Sequence, residues 1–384
     1  MPSTFRAVLA CAVMLLCALL PASASAAVGA PRDLLVAHTD GRLTVQRGGA
    51  AHAAAARRPG VRFVEPDYRY AAQSVPSDDL FEEQWSLADD RLLGVQSAWD
   101  VTTGGSTVVA VIDTGADLTH PDLNIYSAGA KNCSIGAINA NDMNGHGTHV
   151  SGTIGAIDNG TGVVGVAPGA RIWPVKVLTD AGSGLNSDVI CGIDYVTAHA
   201  SQIEVANMSL GGSGTDDGNC GNSNNDAMHK AICRSVAAGI TYAVAAGNDS
   251  EDAANSTPAA YDEVITVSAL SDFNGVPGGG APSTCRSDVD DTFADYSNFG
   301  SDVDIIAPGT CIYSTWMLGG YNTISGTSMA TPHVTGGAAL YKATHPTATP
   351  AQVKSALQAS GTLDWNNSDD GDNTKERLLD VSTY

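Results

Sequence analysis

Three short motifs in this 384-residue chain each carry a side chain suited to nucleophilic or acid–base chemistry. Asp113 opens an Asp-Thr-Gly motif directly after an aliphatic run, and His146 lies between glycines in Gly-His-Gly-Thr-His-Val-Ser-Gly-Thr. Ser328 lies in Gly-Thr-Ser-Met-Ala-Thr-Pro, at a predicted helix start. Each motif alone has a structural explanation, because Asp is a common turn former and Ser a common N-cap. Together they predict nucleophilic catalysis, because a serine hydroxyl needs a histidine to take its proton and a carboxylate to orient that histidine.

The elements around these motifs predict an α/β fold. Short, largely apolar runs at 108–112, 172–178, 242–246 and 264–267 are typical of buried strands in a parallel sheet. Helical stretches near 188–200 and 227–238 lie between the later runs. This alternation predicts a doubly wound, mostly parallel sheet with helices on both faces, whose site lies at the carboxyl ends of the strands.

The chain order Asp…His…Ser, with the motifs quoted above, resembles that of the subtilases, the subtilisin-like serine proteases. The resemblance extends from about Asp79 to the C-terminus. It implies that Asp113 orients the imidazole, that His146 is the general base and then the general acid, and that Ser328 is the nucleophile. Tyr-Ala-Val-Ala-Ala-Gly-Asn, ending at Asn248, resembles the family's oxyanion-hole segment, which implies that Asn248 and the Ser328 backbone N–H stabilise the oxyanion.

Small-residue segments resemble those between which a subtilase holds an extended peptide as an added strand. The implied substrate-binding residues are Gly182, Ser183, Gly184, Ser209, Leu210 and Gly211, with Ala245, Ala246 and Gly247 in the primary pocket. Residues 248–259 resemble the proteinase K branch, which implies a preference for apolar or aromatic residues before the cut. We expect a secreted endopeptidase of broad specificity. A processing protease of narrow specificity and a catalytically silent subtilase that serves as a binding module are the alternatives.

A structural Ca²⁺ site is the next implication of the resemblance. The loop at 157–163 and the preceding His-Pro-Asp-Leu motif are similar to the strong calcium site of subtilisin and thermitase, although proteinase K lacks this loop. A hard cation prefers clustered oxygen ligands. The implied ligands are the side chains of Asp79, Asp122 and Asn159 and the carbonyl groups of Ile157, Thr161 and Val163. An ordinary Asn-Gly turn is the alternative.

The first 26 residues have the pattern of a secretory signal peptide. Arg6 precedes an apolar run at 7–20, and small residues with an Ala-x-Ala pattern follow. The run is short for a transmembrane helix, and a faint lipoprotein-like motif at 8–11 lies too early for lipid anchoring. We therefore expect export to the extracellular space and no membrane partner for the mature chain.

Residues 27–71 differ in charge from the rest of the chain. They carry seven basic and four acidic residues, a net charge of +3, whereas residues 72–384 carry 11 basic and 37 acidic residues, a net charge of −26. Phe-Val-Glu-Pro-Asp-Tyr at 63–68 resembles the end of a subtilase propeptide, which implies an inhibitory pro-region at 27–71, cleaved near Tyr70 or Ala71, before a peptidase domain at 72–384. Its 45 residues are few for this family, so a disordered exported tail is the alternative.

The net charge of −22 limits the classes of partner. Nucleic acids and anionic membrane surfaces would be repelled, so neither is an expected partner. We expect a monomer whose partners are protein and peptide substrates and its own pro-region.

Six cysteines remain after the signal segment, an even number that predicts disulfides in an exported protein. Six cysteines allow 15 pairings, which the spacing does not decide. Proximity favours Cys220–Cys233 and Cys285–Cys311, which leaves Cys133–Cys191. A zinc site is disfavoured because the chain has no Cys-x-x-Cys pair.

Two other protease classes fit the motifs poorly. An aspartic protease needs two carboxylates that share a proton, and no second Asp-Thr-Gly or Asp-Ser-Gly motif occurs. His146 and His149 are three residues apart, but the His-Glu-x-x-His motif of zinc proteases is absent.

Overall fold

The structure, a computed structural model, describes residues 34–40, 42–46, 58–66, 76–368 and 370–384. The chain separates into two compact units, Met1–Arg69 and Tyr70–Tyr384. The predicted signal peptide at 1–26 and the predicted cleavage positions Tyr70 and Ala71 lie outside the described residues. The boundary between pro-region and peptidase domain therefore stays a prediction.

The first unit contains a three-stranded antiparallel sheet. Its strands are β1 Leu34–His38, β2 Leu43–Gln46 and β3 Val61–Pro66, and β1 lies in the centre. Val36 of β1 is paired with Val64 of β3, and both side chains are buried. Alternate residues of a strand point to one face, so this pair gives the small sheet an apolar side.

The described residues of the second unit form twelve strands, eight of which make up one large sheet. The strands of this unit are β4 Val108–Asp113, β5 Lys131–Asn132, β6 Arg171–Lys176, β7 Val205–Met208, β8 Gly212–Ser213, β9 Thr241–Ala245, β10 Ser256–Thr257, β11 Ile265–Ser271, β12 Thr292–Phe293, β13 Ile305–Pro308, β14 Ile312–Trp316 and β15 Gly320–Ile324. The large sheet has the order β12-β11-β9-β7-β4-β6-β5, with β13 paired to β11. Its pairs are parallel except β11 with β12, as the sequence predicts for most of the sheet. Two antiparallel pairs, β8 with β10 and β14 with β15, lie outside it.

Helices cover both faces of this sheet. The α-helices are Trp85–Ala88, Asp90–Leu93, Val95–Trp99, His146–Gly155, Asn186–Ala198, Ala227–Ala237, Thr327–Thr344 and Pro350–Ser360, and 3₁₀ turns occur at Phe81–Glu83, Ser127–Gly129 and Ala253–Asn255. We call His146–Gly155 the histidine helix and Thr327–Thr344 the serine helix. In the described residues no helix is both long and apolar enough to span a membrane.

The central strand β4 shows how the two layers form. Val109 and Val111 belong to the apolar cluster that includes the histidine and serine helices. Ala110 and Ile112 belong to the cluster on the other face, with the helices Asn186–Ala198 and Ala227–Ala237. Because successive side chains of a strand point to opposite faces, an unbroken apolar run is needed to fill both layers. The predicted α/β fold is therefore confirmed.

Three disulfides link parts of the second unit. They join Cys133 to Cys191, Cys220 to Cys233 and Cys285 to Cys311. The Cα atoms of the paired cysteines lie 5.8–5.9 Å apart, a usual separation for a disulfide. Two of these pairs are those that proximity favours, and Cys133–Cys191 is the pair that then remains.

Lys354 connects the helix Pro350–Ser360 to the ends of sheet strands through hydrogen bonds and an ion pair. Its Nζ donates to the carbonyl oxygens of Asp262 (3.2 Å) and Val264 (2.8 Å) and lies 2.8 Å from Oδ2 of Asp304. The Lys354 and Asp304 side chains are 23% and 13% exposed. Removal of the ammonium group therefore leaves a largely buried carboxylate without its cation.

We expect Lys354→Met to lower the free energy of unfolding by about 1–3 kcal/mol, less than for a fully buried pair because water partly screens this one. Urea unfolding followed by circular dichroism measures the change, and Lys230→Met is the control for loss of one positive charge. Asp304→Asn added to Lys354→Met should recover part of the loss. Equal stability of the Lys354→Met and Lys230→Met variants would contradict this role.

Candidate active site

Two of the predicted catalytic side chains are in direct contact. Asp113 is the last residue of β4, and His146 is the first residue of the histidine helix. His146 Nδ1 lies 2.8 Å from Oδ1 of Asp113, whose side chain is fully buried. Burial alone would lower the pKa of His146, but the charge and hydrogen bond of Asp113, with the charge of Asp142, outweigh it and raise the pKa above its usual value.

The buried carboxylate of Asp142 organises the start of the histidine helix. Its Oδ1 accepts from the Asn144 and Gly145 N–H groups (2.9 and 3.0 Å), and its Oδ2 accepts from the Thr148 N–H (2.9 Å). These contacts satisfy donors that a helix start leaves free. A Cβ atom at Gly147 would lie 2.1 Å from the carbonyl oxygen of Gly115, so only glycine allows this close approach of the helix to the turn after β4. The local structure thus explains the glycine that follows the histidine.

Ser328 is the second residue of the serine helix and is half-buried. It lies in the same groove as His146, a cavity of about 710 Å³ at the carboxyl ends of the strands. Its Oγ donates to the carbonyl oxygen of Ser209 (3.3 Å), and the Ser209 hydroxyl donates to the carbonyl oxygen of Ser328 (2.8 Å). The fold therefore brings Ser328, His146 and Asp113 to one region, although their motifs are far apart in the chain.

Asn248 lies in the same groove, three residues beyond the end of β9. Its Oδ1 accepts from the backbone N–H of Thr327 (2.8 Å) and from the Thr327 hydroxyl (2.9 Å). With the oxygen held in this way, the Nδ2 group is left to donate elsewhere. This arrangement can present an N–H donor beside Ser328.

The segments predicted to bind an extended peptide lie along this groove. Its lining includes the predicted substrate-binding residues Gly182, Ser183, Gly184, Ser209, Leu210 and Gly211. The pairing of β8 with β10 continues the second segment and joins it to the chain that follows Asn248. Glycine and serine leave the groove open to a peptide backbone.

A second cavity of about 300 Å³ adjoins Ser328 and Asn248. Ala245, Ala246 and Gly247 line it, as expected for the primary pocket, together with Leu210 and Gly211. Two acidic residues, Asp249 and Glu251, also line it and are exposed. The cavity therefore combines small apolar side chains with negative charge.

The predicted calcium ligands also come together. Asp122 Oδ1 accepts from Asn159 Nδ2 (2.8 Å), and Asp122 Oδ2 accepts from the Val163 N–H (3.0 Å). Asp79 reaches the same loop, because its Oδ1 accepts from the Gly162 N–H (2.7 Å). Burial raises the pKa of Asp122 to about 6.

The donor chemistry of this loop fits a hard cation. Among the described residues, no hydrogen bond ends on the carbonyl oxygens of Ile157, Thr161 or Val163. Unpaired carbonyl oxygens beside a carboxylate and an amide are the ligand types that Ca²⁺ takes. Elsewhere in the described residues, acidic groups that could hold a metal occur at Asp216 with Asp217 and His229, and at Asp370 with Asp372 and Glu376.

His149 does not share a site with His146. It is fully buried, and its Nε2 lies 2.9 Å from the carbonyl oxygen of Ile312. Burial lowers the pKa of His149 to about 3, so it is neutral at physiological pH. The structure therefore gives it a place in the core.

Several supporting residues were missed by the sequence reasoning. Thr327 orients Asn248, Asp142 organises the histidine helix, and the fully buried Lys176 donates from Nζ to the carbonyl oxygen of Thr114 (2.5 Å) beside Asp113. The N-cap preference for Asp does not identify Asp142, because the N-cap of this helix is Gly145, three residues further on. For Lys176 no sequence signal exists either, since its role depends on the pairing of β4 with β6.

Comparisons with known proteins identify relatives over most of the chain. The model of the subtilase family matches residues 104–377. The chain is 41% identical over 304 residues to an extracellular serine proteinase of Thermus sp. (strain Rt41A), covering 78% of this chain and 65% of the relative. It is 38% identical over 309 residues to subtilisin E of Bacillus subtilis, covering 79% of this chain and 71% of that protein.

Solved structures of proteases are also similar to this chain. A cold-adapted subtilisin-like serine proteinase matches with a TM-score of 0.60 and 33% identity, covering 81% of this chain and 99% of its own. A protease of Pseudoalteromonas arctica matches with a TM-score of 0.68 and 30% identity, covering 81% and 98%. The fold is thus shared with solved proteases at substantial sequence identity.

Proposed function

Because this chain belongs to the subtilase family of serine proteases, we propose that it is a secreted serine endopeptidase that hydrolyses peptide bonds of proteins. The observation that carries the proposal is the 2.8 Å contact between His146 Nδ1 and Asp113 Oδ1, at a groove that also contains Ser328 and Asn248. Secretion is supported by relatives that are named extracellular proteinase and exoprotease.

The reaction follows from the roles of these groups. Asp113 accepts a hydrogen bond from the Nδ1–H of His146 and so fixes the tautomer whose Nε2 is free to take the proton of Ser328 as its Oγ attacks the substrate carbonyl carbon. The tetrahedral oxyanion accepts from the Ser328 N–H and Asn248 Nδ2. His146 then gives the proton to the leaving amine, and the C–N bond breaks to form an acyl-enzyme. Water, deprotonated by His146, hydrolyses the ester and regenerates Ser328.

An extended peptide is proposed to bind between residues 182–184 and 209–211 as an added strand. The cavity of about 300 Å³ would receive the side chain before the cut. Its small apolar side chains favour apolar or aromatic substrate side chains and broad specificity. The negative charges of Asp249 and Glu251 would also attract a basic substrate side chain. Cleavage profiling on a mixed peptide library measures this preference. A single tolerated motif would instead favour the narrow processing protease.

Labelling with a serine-directed inhibitor tests the enzyme itself. We expect one label per mature chain, located at Ser328 by mass spectrometry, with parallel loss of peptide hydrolysis. Hydrolysis that persists after complete labelling, or absence of label at Ser328, would overturn the proposal and favour a silent binding protein.

The pH dependence of the reaction follows from His146. The imidazole must be neutral to accept a proton, and its pKa is raised by Asp113 and Asp142 against the effect of burial. We therefore expect kcat/KM to fall as the pH decreases, with a midpoint above ~6.5. A peptide substrate without ionisable groups isolates this titration. A profile that is flat down to pH 5 would contradict the role of His146.

We propose that Ca²⁺ binds the loop at 157–163 through the side chains of Asp79, Asp122 and Asn159 and the carbonyls of Ile157, Thr161 and Val163. When bound, the ion would supply positive charge that stabilises this loop. A ligand at 100 times its Kd stabilises the folded state by about 2.7 kcal/mol, so calcium should raise the Tm by several degrees. Asp122→Asn should reduce this increase in calorimetry, and an unchanged increase would contradict the site.

We also propose that the chain is made as a zymogen and that residues 27–71 are its inhibitory pro-region. The opposite net charges of this segment and the rest support their association. N-terminal sequencing of the mature protein should give a start near Ala71. A mature protein that begins near Ala27 would contradict removal of the segment.

A further inference from the structure

The loop that follows the last long helix contains a group of oxygen side chains that neither catalysis nor the Asp122 loop explains. It has the sequence Asn-Asn-Ser-Asp-Asp-Gly-Asp-Asn-Thr-Lys-Glu at 366–376. One carboxylate oxygen each of Asp370, Asp372 and Glu376 lie within 4.8 Å of one another. Such close approach of three carboxylates is unfavourable unless a proton or a cation neutralises them.

Two of these carboxylates are removed from water, and among the described residues only one of their four oxygens, Oδ1 of Asp370, accepts a hydrogen bond, from the Asp372 N–H at 3.4 Å. Asp370 and Glu376 are 6% and 7% exposed. Both carboxylate oxygens of Glu376 and Oδ2 of Asp370 are buried with no hydrogen-bond partner among the described residues, and the same is true of Oδ1 of Asn367. A buried carboxylate without donors carries a large desolvation cost, so unpaired oxygens in one group indicate a missing positive partner.

The basic residue within the loop is directed elsewhere. Lys375 places its Nζ 5.2 Å from the ring centroid of Trp365, and the ion pairs of the described residues include none to Asp370, Asp372 or Glu376. The loop itself therefore supplies no ammonium group that neutralises these carboxylates.

The loop is held at both ends, so its oxygen atoms are brought together by the fold. Asn366 donates its N–H to the carbonyl oxygen of Asp291 (2.8 Å), next to β12. Leu378 pairs with Ile306 of β13, and Trp365 Nε1 donates to the carbonyl oxygen of Glu376 (2.9 Å). A ligand inside this loop would link two strands at the edge of the central sheet.

We propose that Asn367, Asp370, Asp372 and Glu376 form a binding site for Ca²⁺, separate from the Asp122 loop, that stabilises the C-terminal loop of the domain. Ca²⁺ takes oxygen ligands at 2.3–2.6 Å, so two ligands of one ion are at most about 5.2 Å apart, and the three carboxylate oxygens, all within 4.8 Å of one another, meet this limit. Three carboxylates and one amide supply the negative charge and the number of oxygens that favour calcium over the smaller Mg²⁺.

Calcium counting on the Ser328→Ala form of the chain tests the site independently of catalysis. After treatment with a chelator, equilibrium dialysis gives the number of ions bound and isothermal titration gives the affinity. We expect Glu376→Gln and Asp372→Asn each to remove one ion or to weaken its binding at least about tenfold. Asp372 is exposed, so this variant should fold. Asp364→Asn, with the same charge change at an exposed position two residues before the loop, is the matched control and should behave as the parent.

A second measurement separates this site from the Asp122 loop. Terbium bound near Trp365 should show luminescence on tryptophan excitation, and this emission should disappear in Glu376→Gln but persist in Asp122→Asn. Unchanged ion number and affinity in both loop variants would overturn the proposal. A Glu376→Gln protein that is more stable than its parent at every calcium concentration would also overturn it, and would show that a proton neutralises the group.

Discussion

Replacement of Ser328 by alanine is expected to lower kcat by roughly 10⁶-fold, the order of the loss when the serine of the subtilisin triad is removed. The contact of His146 with Asp113 does not involve Ser328, so the variant should fold normally. The expected loss therefore comes from the missing nucleophile, since no acyl-enzyme can form. Kinetics with a peptide substrate measures it, and Ser301→Ala, on an exposed loop, is the control.

The same variant tests self-processing. If the pro-region is removed by the chain's own active site, pure Ser328→Ala protein should retain residues 27–71. Normal maturation of this pure variant would refute self-processing while leaving the assignment of the nucleophile in place. Activity within tenfold of the parent would refute the assignment itself.

Replacement of Asn248 by alanine is expected to lower kcat by about 10²–10³-fold with little change in KM. That magnitude is known from loss of the oxyanion-hole asparagine in subtilisin. The structural reason is the orientation of the side chain, whose oxygen accepts from the Thr327 N–H and hydroxyl so that Nδ2 is left to donate. An interaction made only in the transition state affects kcat and leaves substrate binding nearly unchanged.

Thr327 provides the matched variant. Thr327→Ser retains the hydroxyl and should keep most of the activity, whereas Thr327→Val loses one of the two bonds that orient Asn248 and should lower kcat by a smaller factor than Asn248→Ala. Combined with Asn248→Ala, Thr327→Val should have little additional effect, because it acts through that side chain. Fully additive losses would contradict this coupling, and an unchanged kcat in Asn248→Ala would contradict the oxyanion role.

The fold was predictable because its signals are local. The run 108–112 is apolar at every position. In the structure it forms most of β4, and its alternate residues pack into the apolar clusters on the two faces of the sheet. The predicted strand boundaries differ from the observed ones by at most four residues, since β11 continues to Ser271 and β6 ends at Lys176. Hydrogen bonding between neighbouring strands decides where a strand ends, and this depends on residues distant in the sequence.

The disulfides and the candidate site were predictable from the sequence to different extents. Proximity favoured two short-range cysteine pairs, and the third pair, 58 residues apart, followed only as the remainder. Asp113, His146 and Ser328 were chosen by chemical type and motif, and their roles remain proposals. The acidic Asp249 and Glu251 beside the primary pocket were not expected, because the exposure of a side chain to one cavity is not encoded in neighbouring residues.

By itself, the sequence determined the class of fold, the family resemblance and the side chains suited to the chemistry, because periodicity and motif order are properties of neighbouring residues. Only the tertiary structure decided how those side chains are held. Asn248 is oriented by Thr327, 79 residues away, and Lys354 places its ammonium group among oxygens 50 to 92 residues distant. Burial likewise distinguishes Glu376 from the many acidic residues in contact with water. Burial and long-range hydrogen bonds arise when separate segments pack, so they become visible only in the folded chain.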